Sequence, residues 1–214
     1  MQKVFLHGFA TNPDIWHHQR VDFAPELDFE NIPAEAKRVA ELITQDSILI
    51  GWSMGGLVAI ELAVLAGAKL KALVLVSTTP KFVRSADFPE GLPLALLRRM
   101  EKRIEREGAA AFHSLVFKNG ETVGLEHLPP KRAERELAEL ARLDLRPALK
   151  QITVPTLIIH GDRDEICLPA AAKFMSLEVG GCELEIISGV GHAPMIEAAD
   201  QFNALLENFI NDYA

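Results

Sequence analysis

The stretch "ILIGWSMGGLVAIELA", residues 49–64, limits what this chain can fold into more than any other part of it. An aliphatic run reaches Ser53, which is hemmed in by Gly51, Gly55 and Gly56, and then passes straight into a second apolar run. The first run suits a strand buried on both faces, and the second suits a helix packed hard against a sheet. Glycines at these spots remove side chains where the backbone must turn sharply or approach another segment closely. A turn built for stability alone would be short and polar. The arrangement makes sense if Ser53 is being presented to something.

Four more short aliphatic runs bounded by turn residues share the character of Ser47–Ile50. They are Val4–Leu6, Ala72–Val76, Thr156–His160 and Glu183–Ile187. All five read as strands buried on both faces, as in a parallel sheet. Helical patterns lie between them, including the nearly all-apolar Leu57–Ala66. Near the C-terminus Phe202, Leu205, Leu206, Phe209 and Ile210 recur with the spacing of an amphipathic helix. Strands alternating with helices predict an α/β fold, a mostly parallel sheet flanked by crossover helices. The alternation stops between about Thr79 and Pro155, in a segment rich in Arg, Glu, Ala and Leu and punctuated by Pro89, Pro93, Pro129 and Pro130. Residues 80–150 are therefore expected to form a helical lid inserted into a core of residues 1–79 and 151–214. Charge follows the same boundary. Residues 81–150 hold 14 Lys and Arg against 11 Asp and Glu, and the rest hold 8 against 19.

G-x-S-x-G between a strand and a helix is the nucleophile elbow, and Gly51-Trp52-Ser53-Met54-Gly55 fits it. The helix that starts there aims its unpaired N–H groups and positive dipole end at the serine. A nucleophilic serine needs a base, and the base needs an orienting carboxylate, in the chain order Ser, Asp or Glu, His. "LIIHGDRDEI" places Asp164 just past a strand, and "SGVGHAPMIE" places His192 in a Gly-rich loop before the last helix. Both then lie at the carboxyl ends of strands, where a parallel sheet gathers its functional loops. Asp162 is the competing carboxylate, and either aspartate could instead cap a helix or solvate the loop. His160, at the end of a buried strand, reads as structural, and His17, His18, His113 and His127 as surface or packing residues. The N–H groups of Phe9, from "LHGFA", and of Met54 are the expected oxyanion donors. No P-loop, dinucleotide fingerprint, HExxH or cysteine cluster is present, so no cofactor and no metal is expected.

On these residues the chain resembles the α/β-hydrolase superfamily. It is more closely similar to the family of methyl esterases of biotin synthesis that act on pimeloyl-acyl carrier protein methyl ester. The likeness rests on "GWSMGGLVA", on "GHAPMIE" and, more discriminatingly, on "VSTTPKFVRSADFPEG". It implies a serine carboxylesterase with Ser53, His192 and Asp164 as its triad and with Phe9, Trp52 and Met54 lining the pocket. It also implies an acidic acyl carrier protein as partner, gripped by lid arginines. In "LALLRRMEKRIERE", Arg99, Lys102, Arg103 and Arg106 fall on one helical face, and Leu97, Met100 and Ile104 on another. An ordinary solvated helix face would read the same way.

Against that pattern, the chain begins on the strand leading to His7-Gly8 and has no glycine between Gly8 and Gly51. "RVDFAPELDF" stands where the next strand and its turn belong, and the helix before it is cut short. A smaller sheet and a pocket more open on that side are expected. A general short-acyl esterase, a thioesterase or a carbon–carbon bond hydrolase would use the same three residues. So would a silent receptor of the same shape keep them. The net charge of −8 argues against nucleic acid as a partner. No apolar stretch reaches the ~20 residues needed to span a bilayer. The N-terminus has no signal-peptide pattern, and Cys167 and Cys182 form no ligand motif. A cytoplasmic protein is expected.

Overall fold

Each aliphatic run forms a strand, and the five strands lie side by side in chain order. In the computed structural model, which describes residues 1–65, 69–117, 120 and 122–213, they are β1 (Gln2–Leu6), β2 (Ser47–Trp52), β3 (Leu70–Val76), β4 (Thr156–Gly161) and β5 (Glu183–Ile187). Every neighbouring pair is parallel. Four of them outrun their aliphatic stretch by one or two residues, because ladder hydrogen bonds use backbone and not side chains. β5 corrects one expectation. It is an edge strand with Glu183 and Glu185 exposed, and so is not buried on both faces.

The helices are α1 (Ile32–Leu42), α2 (Met54–Leu65), α3 (Leu94–Glu107), α4 (Ala110–Val116), α5 (Pro130–Arg142), α6 (Arg146–Leu149), α7 (Pro169–Glu178), α8 (Pro194–Glu197) and α9 (Ala199–Asn211). α2 begins directly after Ser53, three residues earlier than the apolar run suggests; its expected end, Ala66, lies outside the described residues. α1 packs on α2, α2 on α6, and α6 on α7, forming one layer of helices. The shortened first helix is a 3-10 turn at Pro13–Trp16. Its Trp16 meets Phe5 edge-on at 5.0 Å and also touches Phe202 of α9, so that turn and α9 cover part of the sheet together. The close approach of α2 to β1 requires glycine at 55. A Cβ there would lie 2.3 Å from the His7 carbonyl oxygen and 2.4 Å from that of Leu6.

Between β3 and β4 the described chain carries helices and only isolated bridges. α3 buries Leu97, Met100 and Ile104, the apolar stripe read from its sequence. Two sets of backbone ties hold this cap down. In the first, residues 124–126 run beside the loop after β1: Asn12 N–H donates to Gly124 O at 2.9 Å, and Glu126 N–H to Ala10 O at 2.9 Å. His113 Nε2 adds a bond to Ala10 O at 2.6 Å. In the second, α5 grips residues 27–32: Arg132 donates to Leu27 O at 3.1 Å, and Glu139 accepts from Ile32 N–H at 3.0 Å.

The second set overturns the expected openness. Where the resemblance would place a further strand, only a Val4–Phe23 bridge forms. The sheet is small, but Leu27 and Phe29 are buried against His7, whose Nε2 accepts the Leu27 N–H at 3.0 Å. The side without a strand is filled by loop.

Candidate active site

Ser53 sits in the turn between β2 and α2 with φ of 55°, a left-handed value that costs a non-glycine residue roughly 1–2 kcal/mol. The turn is held from three sides. Ser53 N–H donates to Val76 O at 2.9 Å, while Ser53 O accepts from Gly56 N–H at 2.9 Å and from Thr78 Oγ1–H at 2.8 Å. The strained turn raises Ser53 Oγ off the sheet toward His192, which arrives from the loop between β5 and α8. The hydroxyl donates to His192 Nε2 at 3.0 Å, and His192 Nδ1–H donates to Asp164 Oδ2 at 2.8 Å. All three side chains are buried. Thus the loops after β2, β4 and β5 bring together three residues far apart in sequence.

Asp164 is the carboxylate in this series, and Asp162 is not. Asp162 accepts from Gly189 N–H at 2.7 Å and Ser188 Oγ–H at 3.1 Å, pinning an exposed turn. Asp164 Oδ1 accepts two backbone N–H groups, Ile166 at 2.8 Å and Cys167 at 3.0 Å. Burial alone would raise its pKa. The adjacent His192, a hydrogen bond from His160 and the bond from His192 outweigh burial and hold the carboxyl well below the usual carboxylate range. The Cys167 thiol lies beside that carboxylate, and burial pushes it well up, so it stays protonated.

Two residues that sequence reasoning missed or misplaced hold the histidine loop. Glu197 accepts from Gly191 N–H at 3.0 Å and Ala193 N–H at 3.1 Å, clamping both sides of His192. Its signal was present in "GHAPMIE", as an acid one turn after the histidine. Trp52 does not line the cavity beside Ser53. Its indole N–H donates to His192 O at 2.8 Å and its ring packs against Phe117, because consecutive strand residues point to opposite faces.

The cavity is narrow, with about 340 Å³ of void counted with its mouth. Its walls include Ser53, Phe9 and Met54 from the core and Met100, Phe112, Leu137 and Leu140 from the cap helices. Phe9 and Phe112 meet edge-on at 5.0 Å across the seam. The backbone N–H groups of Phe9 and Met54 have no acceptor among the described residues. On α3, Arg99 and Lys102 are exposed. Arg103 and Arg106 bond Glu107 on their own helix, and Arg103 also reaches Ser114, while the Arg106 side chain remains exposed. Among the described residues no group of His, Cys, Asp and Glu is arranged to hold a metal, and no helix is long and apolar enough to cross a membrane.

A parallel sheet presenting a hydroxyl, an imidazole and a carboxylate in hydrogen-bonded series at its carboxyl edge defines the class of serine hydrolases with an α/β core. The chain belongs to the alpha/beta hydrolase family, whose model matches residues 4–205. Among curated proteins it is similar to a pimeloyl-acyl-carrier-protein methyl ester esterase of Nitrosospira multiformis, at 29% identity over 96% of this chain and 93% of that one. Another of the same name, from Xanthomonas oryzae, is 30% identical over 97% of this chain and 94% of the relative. Of solved structures, an esterase from Exiguobacterium antarcticum superposes with TM-score 0.85 at 20% identity, covering 99% of this chain and 92% of that one. A bromoperoxidase from Bacillus anthracis gives 0.83 at 20%, covering 98% and 91%. At that identity the structures speak for the fold alone.

Proposed function

We propose that the protein is a serine carboxylesterase that hydrolyses the methyl ester of pimeloyl-acyl carrier protein. The observation that carries this reading is the end-to-end similarity to esterases of that name, over more than nine-tenths of both chains. The geometry supplies a mechanism. Ser53 attacks the ester carbonyl as His192 Nε2 takes the hydroxyl proton, and Asp164 steadies the imidazolium that forms. The free N–H groups of Phe9 and Met54 receive the negative charge on the carbonyl oxygen; losing one such donor typically costs on the order of 10²–10³ in turnover. His192 then protonates the departing methoxide. A water activated by the same imidazole releases the acid from Ser53.

The cavity supports an esterified end over a free one. Among the described residues its wall holds serine, threonine and cysteine among apolar side chains, but no cation. A neutral methyl ester enters such a space cheaply, whereas the carboxylate produced there has no counterion and is driven out. For the carrier we assign the exposed Arg99 and Lys102 of α3 as first contacts. Arg103 and Arg106 join only by exchanging Glu107 for a carrier carboxylate or phosphate. The cap is read as residues 80–150, with α6 returning to the core layer.

The test is rescue of a biotin-requiring bacterial strain that lacks its own methyl esterase. The chain restores growth without biotin, and the Ser53→Ala variant does not. Equal failure of both, with the wild-type chain expressed and folded, would end the carrier-substrate reading. A fluorophosphonate probe separates that result from a non-enzyme, which would leave Ser53 unlabelled.

A further inference from the structure

We infer that His160 is a positioning residue for the reaction, holding the Asp164 carboxylate in the orientation from which it directs His192; this rests on the proposed roles of Ser53, His192 and Asp164. His160 is the penultimate residue of β4 and is fully buried. Its Nε2 lies 2.7 Å from Cys167 O and 3.2 Å from Asp164 Oδ2, the oxygen that also accepts from His192. Its Nδ1 is buried with no partner among the described residues.

These contacts assign the proton. Both neighbours of Nε2 are acceptors, so Nε2 carries the hydrogen and Nδ1 is the bare, unsatisfied nitrogen. One N–H therefore bridges two parts of the same loop. Its shorter arm fixes the Cys167 carbonyl, and the Cys167 N–H is in turn one of two backbone donors on Asp164 Oδ1. Its longer arm reaches Oδ2 itself. Asp164 is thereby fastened on both oxygens, and rotation of its carboxylate would break a bond at either end.

The orphaned Nδ1 is the second observation. A buried acceptor without a donor is destabilising, and an aromatic or aliphatic side chain of similar volume would avoid that cost. A group kept at that cost beside the orienting carboxylate is explained by the bond its other nitrogen makes. The titratable groups facing Asp164 are His192, His160 and the Cys167 thiol, with Arg163 and Glu165 exposed on its own loop. Removing the His160 N–H leaves Oδ2 more negative toward His192. The imidazolium is then favoured, and His192 becomes unavailable as a base at higher pH than before.

The experiment compares the full-length wild type with H160F, H160Q and S53A on one methyl ester across pH. H160F keeps ring volume and loses the donor; H160Q returns an N–H at similar reach. In H160F, kcat falls about ten- to a hundredfold with KM within about threefold, and the acid limb of kcat/KM moves to higher pH. H160Q recovers most of kcat and the wild-type acid limb. Wild-type kcat and acid limb in folded H160F would overturn the inference. So would equal losses in H160F and H160Q with neither acid limb displaced, since that is the mark of packing alone. Should H160F not fold, H160Q decides through the downfield proton resonance of the His192–Asp164 hydrogen bond: retained with the wild-type acid limb, it supports the role, and lost, it refutes it. If S53A retains wild-type turnover, the proposed function itself falls. If S53A is inactive while H160F is unaffected, only the role of His160 does.

Discussion

Asp162 and Asp164 share a loop and a residue type, yet the fold gives them unrelated work. Asp162 braces a solvent-exposed turn, whereas Asp164 is enclosed with both oxygens engaged. Asp164→Asn therefore lowers kcat by about 10⁴, the cost of leaving a catalytic imidazole in the wrong tautomer, whereas Asp162→Asn stays within a few-fold; steady-state kinetics on any accepted methyl ester checks both. Ser53→Ala removes turnover and leaves the melting temperature within a degree or two, because among the described residues Oγ bonds His192 alone while the strained turn is held by backbone and Thr78. These residues could be named from sequence because motif, chain order and strand context restricted each to one or two candidates. Trp52 could not be placed, since which face of β2 it occupies depends on where the elbow twists the chain. His160 was legible as buried, but its tie to Asp164 was not, because two residues four apart meet only once the loop after β4 closes.

Periodicity made the individual elements readable, and it stopped at their mutual attachment. The apolar stripes of α3 and α9 follow directly from residue spacing. The grip of α5 on residues 27–32 joins positions more than a hundred residues apart, with no local pattern to announce it. Within that grip, burial pushes the pKa of Glu136 up to about 7, while its ion pair and hydrogen bond with Arg132 and the Phe29 backbone pull it down and Asp28 adds to the rise. A carboxyl that binds its proton more tightly when folded loses stability as pH rises from its unfolded value near 4.5 to about 7, with little change above. Melting curves across that window will show wild type falling relative to Glu136→Gln, most steeply below pH 7. The other attachment is more brittle. Gly124 has φ of 68°, and a Cβ there would lie 2.1 Å from Ile15 N. Gly124→Ala should lower stability by about 1–2 kcal/mol from backbone strain alone, and reduce turnover by displacing the Ala10–Glu126 pairing, both measurable on the purified protein.

Across the whole molecule, residues 81–150 are net positive and the remainder is acidic, an asymmetry legible in composition. Reversing two exposed cap charges, Arg99→Glu with Lys102→Glu, is expected to depress turnover of a carrier-linked ester several-fold at low salt and much less at high salt. Hydrolysis of a free short methyl ester should be unchanged, and assays of both substrates at two ionic strengths check the pair. The five strands were equally legible, because each is built on a short apolar run bounded by turn residues, whereas their order in the sheet was not, since a run marks a strand and not its neighbours. What replaced the missing neighbour of β1 was not legible: a loop fills that space through contacts to His7 that carry no sequence signature. One seam governs how such a molecule can behave. Residues 124–126 are stitched to the very loop that contributes the Phe9 N–H, and His113 is fastened beside them. Lifting the roof would pull that donor out of register, so an enzyme caught agape would be disarmed, and its reactive serine idle until the door is shut on a guest.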